Sequence, residues 1–170
     1  MKVHHGMRPH DIVLLFKVLT INNMEWRLSD LGSSLFISNS EIYESLNRSH
    51  IAGLLDESKR RVHRQSLMEF VQYGLHYVFP QVPGTMVTGV PTAHSHPFYE
   101  GRFISEFAYV WPDDAGEKRG LSIQPLYKTV SKAVRLDEEL YFLLASVDII
   151  RVGRIREIKM AVDELKSRIL

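Results

Sequence analysis

Apolar residues recur at three-and-four spacing over much of the 170-residue chain, and the interruptions of that spacing outline its elements. Pro9 and Asp11 open the run Ile12-Val13-Leu14-Leu15-Phe16-Lys17-Val18-Leu19, which predicts a helix with proline in its first turn and an acid at its positive end. Apolar on almost every side, this helix belongs inside a core. Asn22-Asn23 ends it, and Trp26 in the connection reads as a structural anchor. Leu28, Leu31 and Leu35 then mark a short amphipathic helix. Ser38-Asn39-Ser40-Glu41 has the capping-box order, Ser with Glu three positions on, so a further helix is predicted from about residue 38. Ile42, Leu46 and Ser49 should face inward, and Asn39, Ser40, Tyr43, Glu44, Asn47 and Arg48 outward. Ala52-Gly53 supplies the stop.

Beyond Gly53 the pattern is more varied. Leu54 to Arg64, short apolar residues around a polar turn, predicts a small hairpin with four Lys/Arg among residues 59 to 64. Ser66 to Phe79 has helical spacing and stops at Pro80. Residues 81 to 103 are rich in proline and glycine and predict an irregular segment. Phe107 to Trp111 and Leu121 to Ile123 flank a turn-forming stretch and predict a second hairpin. Pro125 to Val134 and Asp137 to Val152 are predicted helices, the latter capped by Asp137, and Gly153 to Leu170 continues or restarts the second. Its Ile155, Ile158, Val162, Leu165 and Ile169 form a stripe suited to core or to a dimer seam. The expected fold class is α+β: residues 1–80 as one unit, and residues 81–170, with a β-hairpin and helices, packing on it or building a dimer.

Composition narrows the possibilities. With 45% apolar and 24% charged residues the chain should fold as a globular protein, and a net charge of +1 provides no bulk field for nucleic acid or anionic membrane. Any such partner must meet a local patch. The absence of cysteine excludes disulfides, thiolate metal sites and cysteine nucleophiles, and suits the cytoplasm. The longest apolar run is far short of the roughly 20 residues of a spanning helix, and no signal-type segment is evident, so no membrane partner is expected.

Among catalytic signatures, no P-loop, dinucleotide-type glycine fingerprint or Gly-x-Ser-x-Gly elbow is present, so neither an enzyme nor a cofactor is expected. His94-x-His96 would put two imidazoles on one face of a strand, with Glu100 or Glu106 as a third ligand, which makes a metal-dependent hydrolase the weaker rival.

A core helix, a short helix, a turn, a capped second helix and a basic hairpin is the element order of a winged helix-turn-helix. Leu31, Leu35, Ile42 and Leu46 would hold the second helix from behind and leave its polar side for a major groove. Ser38, Ser40 and the amides of that N-terminus suit a phosphate, Asn39, Tyr43, Asn47 and Arg48 suit bases or phosphates, and Glu44 suits a cytosine amino group. Lys59, Arg60, Arg61, His63 and Arg64 would grip the flanking backbone. Residues Leu31 to Arg48, closing on Ala52-Gly53-Leu54, resemble the helix-turn-helix of MarR-type winged-helix transcriptional regulators, over roughly residues 8 to 65. The resemblance implies binding of double-stranded operator DNA as a homodimer, with residues 38–48 as recognition helix and 59–64 as wing. The second half departs from the long dimerisation helices usual after the wing, and would take a small-molecule or protein effector. A winged helix turned to protein–protein interaction, as in an antitoxin-like regulatory module, is the main alternative.

Overall fold

The computed structural model describes residues 5–21 and 25–170; the predicted break at Asn22-Asn23 lies outside them. The fold is α+β. Helix α1 (Pro9–Thr20) is followed by α2 (Leu28–Leu35) and α3 (Asn39–Ile51), then by α4 (Arg64–Tyr73) and α5 (Leu75–Val78). Strand β1 (Met86–Pro91), a 3-10 turn at Ala93–Ser95, β2 (Tyr109–Pro112) and β3 (Lys118–Ser122) form the second stretch. The chain finishes with α6 (Val130–Ala133), a 3-10 turn, α7 (Glu138–Val152) and α8 (Ile155–Ile169).

Local chemistry explains these boundaries. Asp11 sits in the first turn of α1 and accepts the Arg8 amide at 2.8 Å, meeting an orphan donor at the positive end of the helix. Asp137 caps α7 by accepting the Leu140 amide at 2.9 Å, as its place in the sequence predicts. The single helix expected over 66–79 is instead α4 and α5, which meet at Gly74, where the missing side chain weakens helix continuity. The helix expected over 125–134 is reduced to α6 and a 3-10 turn at Val134–Leu136, with residues 126–129 in bends and turns.

The sheet corrects two expectations. The Pro/Gly-rich segment contains β1, which pairs antiparallel with β2 (Val90 with Trp111) and with β3 (Thr88 with Arg119). Tyr109 and Val110 of β2 pair in parallel with Leu121 and Ser122, so the three strands close on themselves and no simple β2–β3 hairpin forms. Gly89 permits this closure, since a Cβ there would strike the Trp111 carbonyl. The hairpin expected at 54–64 shrinks to a tight turn with one bridge, Leu55 to Val62.

A single cluster of buried apolar side chains runs through residues 1–80 and 81–170 alike. It includes Ile12, Leu14, Leu15 and Phe16 of α1 and Leu140, Leu144 and Val147 of α7, each side chain worth about 1.5–3 kcal/mol when fully buried. Polar ties cross the same boundary. Lys17 Nζ lies 2.7 Å from Asp137 Oδ2, Thr129 Oγ1 donates to the Leu35 carbonyl at 2.7 Å, and Arg64 Nη1 donates to the Ile169 carbonyl at 2.8 Å.

A buried polar knot anchors the C-terminal half. Asp148 Oδ2 accepts from Thr92 Oγ1 and Trp111 Nε1, both at 2.7 Å, and Oδ1 accepts from Arg151 Nη1 at 2.9 Å. Arg151 in turn donates to the Phe79 and Gln124 carbonyls at 3.1 and 2.9 Å. Asp148→Ala strands that guanidinium without its charge partner, so the unfolding free energy should drop by about 3–5 kcal/mol in urea titrations; a change below ~1 kcal/mol would contradict the assignment.

Candidate functional site

The polar end of α3 begins at a tight junction. α2 leaves through Phe36 in the left-handed region (φ 56°), and Gly32 lets the chain return closely: a Cβ there would lie 2.6 Å from Asn39 Oδ1 and 2.8 Å from the Ile37 carbonyl. Ser38 then caps α3, its Oγ accepting the Glu41 amide at 3.3 Å. Glu41 does not return the bond as a capping box would. Its carboxylate turns instead to α1, 2.7 Å from His10 Nε2 and 3.0 Å from Arg48 Nη2.

Arg48 is the main correction. Expected on the outward face, it is 5% exposed and lies behind α3 in a cluster with α1. Its Nε donates to Asp11 Oδ2 at 3.0 Å and its Nη2 to Asp11 Oδ1 at 2.8 Å, a fork-to-carboxylate pair. Ser45 Oγ adds a bond to Asp11 Oδ1 at 2.6 Å. Asp11 is wholly buried, so the pair is shielded from water and fixes both the position and the rotation of α3. Glu41, Ser45 and Arg48 lie four and three residues apart, a polar stripe beside the inward-facing stripe of Ile42, Leu46 and Ser49, and both stripes are turned toward the protein. The sequence marks only that Asp11 is the one acid of the mostly apolar α1; it does not name the partner.

Partial burial pushes the Glu41 carboxyl up, but the hydrogen bonds and charges of Arg48 and His10 outweigh it and hold the group below its ordinary range. Glu41 thereby stays ionised, with its carboxylate turned toward His10 and Arg48 and away from the outer face.

Ser38, Asn39, Ser40, Tyr43 and Glu44 are exposed, and Asn47 is half-buried. The basic turn stands beside them. Asp56 organises it, accepting the Arg60 and Arg61 amides at 3.1 Å each and Ser58 Oγ at 2.8 Å, while Lys59 takes a left-handed conformation (φ 57°). Lys59 bonds Asn47 Oδ1 and sits 5.6 Å from the centre of the Tyr43 ring, so turn and helix make one surface. Arg61 is exposed.

Three other residues expected at this surface have structural ties. Arg60 lies 4.7 Å over Trp26 and donates to the Trp26 carbonyl at 2.8 Å, which makes Trp26 the anchor expected. His63 Nδ1 is 2.9 Å from the Gly53 carbonyl, and Arg64 is bound to the end of α8.

His94 and His96 do not share a strand face. They occupy the 3-10 turn and its exit, and both are buried. His94 Nε2 is 2.8 Å from Glu157 Oε2, in the wall of a pocket of about 240 Å³ with Tyr109 and Arg154. His96 packs against Tyr141 at 4.2 Å between ring centres, and its Nδ1 accepts the Phe98 amide at 3.1 Å. Among the described residues no three His, Asp or Glu side chains are grouped to hold a metal.

Burial, assisted by the Arg168 charge, pushes His96 down to about 4. The unfolded chain therefore takes up a proton that the folded chain refuses, so stability is fully present above about pH 6.5 and is lost as pH falls toward 4. The depressed Glu41 adds a loss at still lower pH, below about 4.3. Urea midpoints between pH 7 and 3 should trace both declines; His96→Phe should flatten the upper one, and Glu41→Gln should reduce the lower one, which Asp56, Asp113, Asp137 and Glu157, also held low, share. An unchanged profile in either variant would contradict its assignment. Comparison with protein-family models, curated proteins and solved structures finds no match.

Proposed function

We propose that the chain binds double-stranded DNA through the N-terminal half of α3 and the adjoining turn, as a winged helix-turn-helix regulator acting as a homodimer. One observation carries the reading: the exposed polar residues Ser38, Asn39, Ser40, Tyr43 and Glu44 stand on a helix immobilised from behind by Ile42, Leu46 and the Arg48–Asp11 pair. Such a rod enters a major groove without the entropy cost of ordering itself. Ser38, Ser40 and the amides at the start of α3 suit a backbone phosphate. Asn39 suits an adenine edge, and Glu44 accepts from a cytosine amino group.

Lys59 and Arg61 are the turn's contributions to phosphate binding, whereas Arg60, His63 and Arg64 hold the turn and α4 in place. Two such cations per protomer make modest affinity for one module, which favours two half-sites read by a dimer. Four neutralised phosphates correspond to a salt slope of roughly −3 to −4 in log K against log salt.

Selection from random duplex DNA, followed by anisotropy titrations over a salt series, tests this. The expected result is an enriched two-fold symmetric sequence. Lys59→Glu and Arg61→Glu should weaken all duplexes alike and reduce the slope by about 1 for each phosphate left unneutralised, whereas Asn39→Ala should cost about 1–3 kcal/mol on the selected site alone. Failure to enrich any sequence, with affinity indifferent to salt, would overturn the proposal.

A further inference from the structure

Away from α3, a groove of about 910 Å³ runs between the loop after Tyr99 and the start of α8. Its apolar part is unusual for a surface. Ile104 is 100% exposed and Ile155 is 87% exposed, and Phe103, Ile158 and Met160 line the groove beside them. The floor is rigid: Phe103 stacks on the buried Tyr99 at 5.5 Å with 20° between the rings, and meets His94 edge-on at 5.2 Å.

The rim is cationic. Arg102, Arg154 and Arg156 line the groove and are exposed. Among the described residues its only carboxylate is Glu157, which is already committed, to His94 Nε2 at 2.8 Å and to the Arg154 amide at 2.6 Å. Arg154 stands in the field of Glu157, and Arg102 is steadied by Phe98, donating Nε to its carbonyl at 2.8 Å and lying 4.3 Å over its ring, but among the described residues of the groove no carboxylate is left for Arg102 or Arg156.

We propose that this groove docks an acidic amphipathic segment of a partner protein, with two or more apolar side chains on Ile104, Ile155 and Phe103 and flanking Asp or Glu on Arg102, Arg154 and Arg156. The charge pattern chooses the occupant. A basic or neutral segment would leave the arginines unanswered, and a nucleic acid would leave the isoleucines exposed to water. Fork-shaped guanidinium groups suit carboxylates, and arginine beside apolar anchors is the usual make-up of an interface centre. The inference stands apart from DNA binding, since it uses none of the α3 surface.

The test is a random 12-residue peptide library displayed against the full chain, followed by anisotropy titration of the enriched peptides and by sedimentation of the chain alone. The expected winners combine Asp/Glu with Leu, Ile or Phe, and bind less tightly as salt rises. Ile104→Asp and Arg156→Glu should each weaken them at least about tenfold. Both substituted positions are exposed, and an acid in the first turn of α8 agrees with the helix dipole, so both variants should melt as the parent does. Enrichment of basic or uncharged peptides, or affinity that both variants leave intact, would overturn the proposal. So would self-association abolished by Ile104→Asp, which would assign the groove to a second copy. Loss of duplex binding in Arg156→Glu with peptide binding retained would overturn it as well.

Discussion

Asp11 and Arg48 are both charged and both removed from water, an arrangement that is favourable only if each answers the other fully. They do: two bonds join the guanidinium to the carboxylate, and Ser45 and the Arg8 amide occupy the remaining acceptor sites of Asp11. Rotating α3 by one residue would separate the pair and bury unpaired charge, whereas an apolar contact would tolerate the slip. The ion pair therefore contributes angular definition more than net stability. It determines that Ser38, Asn39, Ser40, Tyr43 and Glu44 are the residues turned outward.

The rest of the molecule supports that frame. α1 carries Asp11 on one side and packs against α7 on the other, so the helix bearing the outward face is coupled to the C-terminal half through one shared core. Lys17 with Asp137, and Arg64 with the end of α8, extend the coupling in polar form. The α3 surface and the groove beside α8 are thus carried on one continuous scaffold. Occupation of either is felt at the other only if some element between them has two arrangements.

Much of this was legible in the residues. Apolar spacing located α1, α2, α3 and α7, and side-chain caps at Ser38 and Asp137 marked the starts of α3 and α7, because both signals are local. The role of Arg48 was not legible, since burial of an arginine depends on a partner 37 residues away and helical spacing alone placed it on the outward face. The same holds for Arg64, whose acceptor is the Ile169 carbonyl, and for His94, whose partner Glu157 lies on a different element. β1 was obscured because Pro83 and Gly84 precede it and Gly89 and Pro91 fall within it, and what makes it a strand is the pairing supplied by β2 and β3. The groove was invisible for a related reason: Ile155 belongs to a stripe that is mostly core, and its exposure follows from its place in the first turn of α8.

The central claim is that α3 is a fixed rod with a working outer face. Backbone amide and side-chain NMR shifts followed during titration with a selected duplex test it most directly. The account predicts perturbations concentrated at Ser38, Asn39, Ser40, Tyr43, Glu44, Lys59 and Arg61, while the Arg48 side-chain resonance keeps its position and its protection from exchange throughout. Perturbations that leave α3 untouched, or an Arg48 resonance that exchanges freely and shifts with DNA, would contradict it.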